Sequence, residues 1–198
     1  TLILQPKILH DGYVIMLTTA IAWILLNLKT ILPLMKKINE IFYSLQGEGM
    51  NTGTAAIFIR FSGCNLNCDF CDTHHEDGTM MTDDDIICEV NKYPAKMVVL
   101  TGGEPSLWID KKLIEKLHEI NKFVTIETNG TNNLPDGIDW VTCSPKKGGT
   151  VVLNHIDELK VVYEGQSLKK YDKYITCNRF LQPCSNKNVK ETIQCIKK

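Results

Sequence analysis

A chain of 198 residues with a formal net charge of −1 is long enough for one domain with its own core, and its charge makes no case for nucleic acid or a membrane surface as partner. Eight cysteines would suit a small disulfide scaffold, but their irregular spacing and one tight triplet fit reduced thiols in the cytoplasm better. Cys88 and Cys195 fall in helix-like stretches, where a cysteine is by default a small buried hydrophobe.

The first 34 residues stand apart from the rest. No charged side chain occurs from Gly12 to Leu28, and Val14 to Leu28 is mostly Ile, Leu, Ala, Val, Met and Trp. The run falls short of the roughly 20 apolar residues of a membrane span, and Thr18, Thr19 and Asn27 interrupt it. A signal peptide's basic start and small-residue cleavage site are not evident. Met35-Lys36-Lys37 opens a well-formed domain, so Met35 reads as the natural start and residues 1–34 as an upstream or added extension. A membrane anchor is the alternative reading of that segment.

From residue 55 onward short apolar strands alternate with helical or polar stretches, without repeats or a low-complexity linker. Ala56-Ile57-Phe58-Ile59-Arg60-Phe61 is rich in strand formers and runs into a cysteine loop. Met97-Val98-Val99-Leu100 predicts a buried strand ending at Thr101-Gly102-Gly103-Glu104-Pro105. Apolar residues at 113, 114, 117 and 120 make a helical stripe within Asp110 to Ile120. Phe123-Val124-Thr125-Ile126 leads into Glu127-Thr128-Asn129-Gly130, and Trp140-Val141-Thr142-Cys143 into Ser144-Pro145-Lys146. Leu159-Lys160-Val161-Val162-Tyr163 leads into Glu164-Gly165. Tyr174-Ile175-Thr176 is followed by Phe180-Leu181-Gln182-Pro183, and Val189 to Ile196 reads as a closing helix. This order implies parallel strands joined by right-handed crossovers, hence an α/β sheet or partial barrel. Each polar or glycine-rich motif follows the C-terminal end of a strand, the end that carries the active site in such folds. Six motifs on one edge read as one site.

The cysteine loop is Gly63-Cys64-Asn65-Leu66-Asn67-Cys68-Asp69-Phe70-Cys71-Asp72-Thr73. Its C-x3-C-x2-C spacing supplies three thiolates, enough for three irons of a [4Fe–4S] cluster with the fourth iron left open to a small molecule. Structural zinc is the competing reading, but it wants four protein ligands, usually in paired clips, and the remaining cysteines at 88, 143, 177, 184 and 195 are scattered. His74 and His75 leave a Cys3His site open by count and are otherwise loop residues. The Gly-Gly-Glu-Pro segment reads either as a plain βα turn or as a site where backbone approaches a ligand while Glu104 accepts from its ammonium group. S-adenosylmethionine (SAM) carries such a group, and an open iron could chelate its amine and carboxylate. Trp108 and Trp140 read as packing residues.

The triplet and the Gly-Gly-Glu-Pro turn together resemble the radical SAM superfamily. A closer resemblance is carried by Glu40-Ile41-Phe42-Tyr43-Ser44-Leu45-Gln46-Gly47-Glu48-Gly49, Gly53, Phe58-Ile59-Arg60 and Cys68-Asp69-Phe70-Cys71-Asp72-Thr73. Over roughly residues 35 to 196 the chain is similar to the 7-carboxy-7-deazaguanine synthase family. The resemblance implies a partial, modified (β/α) barrel of the radical SAM type, commonly a homodimer. It implies a SAM-dependent, magnesium-assisted ring contraction of 6-carboxy-5,6,7,8-tetrahydropterin to 7-carboxy-7-deazaguanine, with loss of ammonia, on the route to queuosine. A flavodoxin- or ferredoxin-like reductant is expected, in the cytoplasm, with no direct nucleic acid and no membrane involved.

Carried onto this chain, Cys64, Cys68 and Cys71 would hold the cluster. Phe70, Cys71 and Asp72, then Gly103 and Glu104, then Ser144, Pro145 and Lys146, and finally Gln182, Pro183, Cys184 and Ser185 would contact SAM. Leu45, Gln46, Gly47 and Thr101 would hold the pterin, Arg60 would pair with its carboxylate, Thr73 would offer a hydroxyl oxygen to Mg²⁺, and Glu127 would handle substrate or protons. Two features depart from the family pattern. Residues 1–34 are foreign to it, and the chain stops at Lys198, about a strand's length (roughly 5–6 residues) before the family's usual end. The domain therefore reads as 35–198, short at its C-terminus, where a further tail would help close the pocket. A glycyl-radical-activating protein is the rival enzyme reading, and a zinc- or iron–sulfur-stabilised binding module the rival outside enzymology.

Overall fold

The computed structural model describes residues 35–71, 73–184 and 188–196. The 1–34 extension, Asp72 and Ser185 lie outside the described residues. Eight strands among these residues form one sheet in the order β3-β1-β2-β4-β5-β6-β7-β8. Their ranges are β1 Met35–Leu45, β2 Ala55–Phe61, β3 Thr79–Thr82, β4 Met97–Gly102, β5 Phe123–Thr128, β6 Trp140–Cys143, β7 Glu158–Tyr163 and β8 Asn178–Pro183. The sheet ends on β3 and β8 and does not close on itself, which makes it a partial barrel. No helix among the described residues is long and apolar enough to cross a membrane.

Side chains alternate across a strand, so register decides which residues share a face. Ile57, Ile59 and Phe61 of β2 enter the main core, together with Val98 and Leu100 of β4 and Val124 and Ile126 of β5. That core is covered by α1 (Asp83–Val90) and α2 (Lys111–Glu119), which contribute Ile86, Val90, Leu113, Ile114 and Leu117. The other parity faces the opposite way. Ala56, Phe58, Met97 and Val99 form a second, smaller cluster, with Phe42 stacked on Phe58 at 4.9 Å between ring centroids. Both faces of β4 are thus covered, which is why its sequence is a continuous apolar run without alternation. Pairings of Arg60 with Thr101, Glu127 with Thr142, Thr142 with Glu158, and Val162 with Gln182 carry the second parity into polar residues. Apart from Glu158, which opens β7, these lie toward the C-terminal ends of the parallel strands.

The helices begin where short polar side chains cap them. Thr82 and Asp85 form a reciprocal capping box on α1, and the Asp110 carboxylate accepts the Leu113 N–H of α2 at 2.9 Å. The expected helix within 110–120 forms, as does the closing helix α3 (Val189–Ile196).

Two details differ from the all-parallel expectation. β1 pairs with β2 antiparallel, whereas β2 and β4 to β8 run parallel. Its charged residues hide it from a hydrophobicity scan, yet Lys36 is only 2% exposed. Tyr174-Ile175-Thr176 precedes the strand and takes no part in it. The Thr176 hydroxyl donates to the Asp157 carbonyl at 2.8 Å and accepts the Asn178 N–H, a local turn, while Ile175 stands in solvent.

Lys36 ties β1 to both helices, its ammonium 2.6 Å from Asp83 and 2.9 Å from Asp110. Burial pushes the Asp110 carboxyl up, but the Leu113 N–H and the Lys36 ammonium outweigh it and hold the group below its ordinary range. Its contribution to stability is therefore present above the unfolded carboxyl's titration and is lost as pH falls through the lowered folded value. An Asp83→Ala variant leaves a buried ammonium undercompensated and should lose about 3–5 kcal/mol of unfolding free energy in urea. Asp84→Ala, one residue on and exposed, should leave the urea midpoint nearly unchanged.

Candidate active site

The C-terminal ends of the strands open onto a cleft of about 490 Å³. Segments after β1, β2, β4, β5, β6 and β8 line it, together with inward residues of β7. Of the residues singled out in the sequence, it gathers Leu45, Gln46, Gly47, Arg60, Cys64, Cys68, Phe70, Cys71, Thr73, Thr101, Gly103, Glu127, Ser144, Lys146, Gln182, Pro183 and Cys184. Glu104 and Pro145 do not line it.

The cysteine loop is seated by close backbone contact with the Gly-Gly turn. Gly103 N–H donates to Phe61 O at 3.0 Å, and Glu104 N–H to Gly63 O at 2.9 Å. A Cβ at Gly103 would collide with the Gly63 carbonyl, and one at Gly102, whose φ is +127°, with the Phe61 backbone. Glycine is required at both positions by this approach. Asn129 Nδ2 donates to Asn65 Oδ1 at 3.0 Å and Asn65 Nδ2 to Thr131 Oγ1 at 2.7 Å, fixing the same loop to the end of β5.

Glu104 is engaged by donors of the protein itself. It is 1% exposed, and its carboxylate accepts from Thr128 Oγ1 (2.6 Å), Asn129 N–H (2.8 Å) and Ser106 N–H (3.0 Å). It braces the ends of β4 and β5 from behind the cleft wall. Pro145 likewise serves the turn between its cleft-lining neighbours Ser144 and Lys146.

Glu127 stands in the cleft at the centre of a polar group. Its Oε1 accepts from Gln46 Nε2 at 3.0 Å and its Oε2 from Thr101 Oγ1 at 3.2 Å, with the Lys160 ammonium 3.5 Å from Oε1. Arg60 is held by Glu40 at 2.7 Å through Nε, lies over the Phe42 ring, and brings Nη1 to 3.4 Å from Thr73 Oγ1. Lys146 donates to Ser144 Oγ at 2.6 Å with its ammonium 5.7 Å from the Phe70 ring centroid. Burial, and then the neighbouring Lys160, push the Lys146 ammonium below its ordinary range.

The three thiols suit a shared cluster. Burial raises Cys64 and Cys68; Cys64 also feels Glu104 and Cys71, and Cys68 feels Cys64 and Cys71, so a bound metal centre would reverse the shift by taking them as thiolates. The Leu66 N–H points at Cys64 Sγ at 3.4 Å. Among the described residues no three His, Cys, Asp or Glu side chains converge on a single ion. All three thiols line the one cleft, and their C-x3-C-x2-C spacing supplies three ligands of a polynuclear centre with one open position. Cys143, buried and pushed up to about 12 chiefly by that burial, is a packing thiol.

Glu48, His75, Asn129 and Lys160 are among the cleft residues that sequence reasoning passed over. Lys160 had a usable signal, a single cation inside an apolar strand. His75 was set aside as a loop residue; it lines the cleft, and its carbonyl accepts the Gly63 N–H at 2.6 Å.

A partial barrel with three cysteines in a loop after a strand, and a Gly-Gly turn packed against that loop, defines a class. The radical SAM superfamily model matches residues 58–198, and the chain belongs to that superfamily. It is 64% identical over 163 residues to the 7-carboxy-7-deazaguanine synthase of Bacteroides thetaiotaomicron, covering 82% of this chain and 90% of that one. The synthase of Nitratidesulfovibrio vulgaris is 40% identical over 174 residues, covering 74% and 81%. The crystal structure of QueE from Escherichia coli superposes with a TM-score of 0.69 at 30% identity, covering 82% of this chain and 90% of that one. Within the superfamily, the chain belongs to the 7-carboxy-7-deazaguanine synthase family.

Alanine at Cys64, Cys68 or Cys71 should each abolish the iron and sulfide content and visible absorbance of the reconstituted protein. Cys88→Ala, at an exposed thiol remote in sequence, should retain both. Glu104→Gln replaces one accepting oxygen by a donor facing buried donors and should cost about 1–3 kcal/mol in thermal or urea unfolding.

Proposed function

We propose that this chain is a radical SAM lyase that converts 6-carboxy-5,6,7,8-tetrahydropterin to 7-carboxy-7-deazaguanine with loss of ammonia, on the route to queuosine. The observation that carries the reading is one cleft holding three cluster-type cysteines together with Arg60, Thr101, Gln46 and Glu127. Cys64, Cys68 and Cys71 would hold a [4Fe–4S] cluster. Reduced, such a cluster would supply the electron for reductive cleavage of bound SAM, the source of the radical chemistry.

The chain's own residues bind and orient. Phe70, Gly103, Ser144, Lys146 and the stretch from Gln182 to Cys184 surround the place for SAM, the Gly-Gly turn offering backbone carbonyls to its ammonium. Leu45, Gln46, Gly47 and Thr101 hold the heterocycle, and the planar Arg60 fork takes the carboxylate. Glu127, acceptor to Gln46 and Thr101, presents its remaining lone pairs to ring N–H groups. Thr73 stands beside Arg60 in the cleft, and its hydroxyl oxygen would hold Mg²⁺. We assign residues 35–198 to this catalytic domain, working as a cytoplasmic homodimer fed by a flavodoxin- or ferredoxin-like reductant. A glycyl-radical activator would act on a protein backbone and has no use for a carboxylate-binding Arg60 in this cleft.

The test is anaerobic reconstitution with iron and sulfide, then incubation with dithionite, SAM, Mg²⁺ and 6-carboxytetrahydropterin, read by mass spectrometry. The wild type should form the ring-contracted product. Arg60→Ala should keep its cluster and lose roughly 100-fold in kcat/KM, as expected when a buried charge pair to substrate is removed. Chelation of Mg²⁺ should depress turnover, and Thr73→Ala should need more Mg²⁺ to recover it. Cleavage of SAM by an intact cluster without any pterin product would refute the substrate assignment.

A further inference from the structure

Resting on that reading of the cleft, we propose that Lys160 is a positioning residue for the pterin, pinning the loop after β1 across the mouth of the open sheet while fixing Glu127. Lys160 projects from the inward face of β7 and is 7% exposed, between the apolar residues Leu159 and Val161. Its ammonium is 2.5 Å from Glu48 Oε2 and 3.5 Å from Glu127 Oε1. Glu48 N–H donates to Gln46 Oε1 at 3.1 Å, and Gln46 Nε2 donates to Glu127 Oε1 at 3.0 Å. Lys160, Glu48, Gln46 and Glu127 therefore close a ring of polar contacts along the cleft.

The ring joins parts of the fold that no strand ladder joins. In the sheet β1 and β7 are separated by β2, β4, β5 and β6. Glu48 follows β1, yet its carboxylate meets Lys160 of β7 and accepts from Gln182 Nε2 of β8. Glu158, also on β7, accepts the Met50 N–H at 2.9 Å and secures the same loop independently. Because Glu158 already anchors the loop, the added ion pair is not needed merely to hold it there.

Stability alone is a weak reason for a buried ammonium in an apolar strand, since apolar residues of similar size often serve as well or better. Positioning is a sufficient one. Leu45, Gln46 and Gly47 lie at the root of the pinned loop, and Glu127 is the ring's other terminus. Removing Lys160 would leave two carboxylates facing one another at the place where the heterocycle is held.

The experiment compares wild type, Lys160→Met, Lys160→Arg and Glu48→Gln in the reconstituted enzyme. The readouts are pterin KM, kcat, the pH profile of kcat/KM, SAM affinity and iron content. Lys160→Met should raise pterin KM roughly 10- to 100-fold, with SAM affinity and iron content retained. Its acid limb should move to higher pH for a stated reason. Burial raises Glu48, but Lys160, with Gln182 and Lys146, outweighs it and holds the carboxyl low. The charged groups around Glu48 are Lys160 and Glu158 on β7, Lys146 after β6 and Glu127 on β5. Without Lys160 the carboxyl protonates at higher pH. Lys160→Arg should restore most of both effects, and Glu48→Gln should raise KM without the upward shift of the limb.

Wild-type product with unchanged KM and pH profile in Lys160→Met overturns the proposal. So does a loss confined to SAM affinity or iron content. If Lys160→Met does not fold, Glu48→Gln, on a half-buried loop, decides by its KM. A wild type that cleaves SAM but forms no product fails the parent reading itself, and the proposal falls with it.

Discussion

The site depends on strand register. In a sheet of mainly parallel strands the parity of a residue fixes its face, and a slip by one position would turn every side chain over. Here Ile57, Ile59 and Phe61 lie under the helices while Ala56, Phe58 and Arg60 face the other way. Across β4 to β8 the same parity yields Val99 and Thr101, then Glu127, Thr142, Lys160 and Gln182. On β2 and β4 the inward face is apolar toward the N-terminal end and polar at the C-terminal end, Phe58 giving way to Arg60 and Val99 to Thr101. A packed floor and a chemically equipped mouth thus come from one pleat. The helices do not touch the chemistry; they bury the opposite face and keep the strands from sliding.

On that frame the cysteine loop is held by backbone contacts. The carbonyls of Phe61 and Gly63 receive the N–H groups of Gly103 and Glu104, so the loop after β2 and the turn after β4 are one unit. The Glu104 carboxylate adds the end of β5 to that unit through Thr128 and Asn129. A buried carboxylate with three donors is costly to disturb, and it gives rigidity to a region otherwise made of loops. Placement of the thiols follows from contacts that involve no thiol.

Much of this was legible in the sequence where chemistry and spacing are local. The parallel strands from residue 55 onward, the α2 stripe and the cysteine triplet carry their own periods and patterns. The Gly-Gly turn was legible as a strained turn, and its two glycines turn out to be demanded by the Phe61 and Gly63 backbone. What stayed hidden depends on long-range pairing. β1 disguises itself because Lys36 is buried against Asp83 and Asp110, a match of residues far apart in the chain. The three donors to Glu104 were hidden because they come from segments on either side of a helix. Glu48 and Lys160 are 112 positions apart and become partners only once the sheet curves.

The way the mouth is closed sets how it can open. Along the parallel strands, separation requires breaking a continuous ladder and exposing core side chains. Across the mouth, the chain between Gln46 and Thr54 is fastened by side-chain contacts and by a short set of backbone bonds of its own. Amide exchange at Met50, whose N–H is held by a carboxylate, therefore reports a local opening of lower free energy than exchange at Val99 or Ile126 within the sheet. Access to the cleft and unfolding of the protein are separate events on separate energy scales.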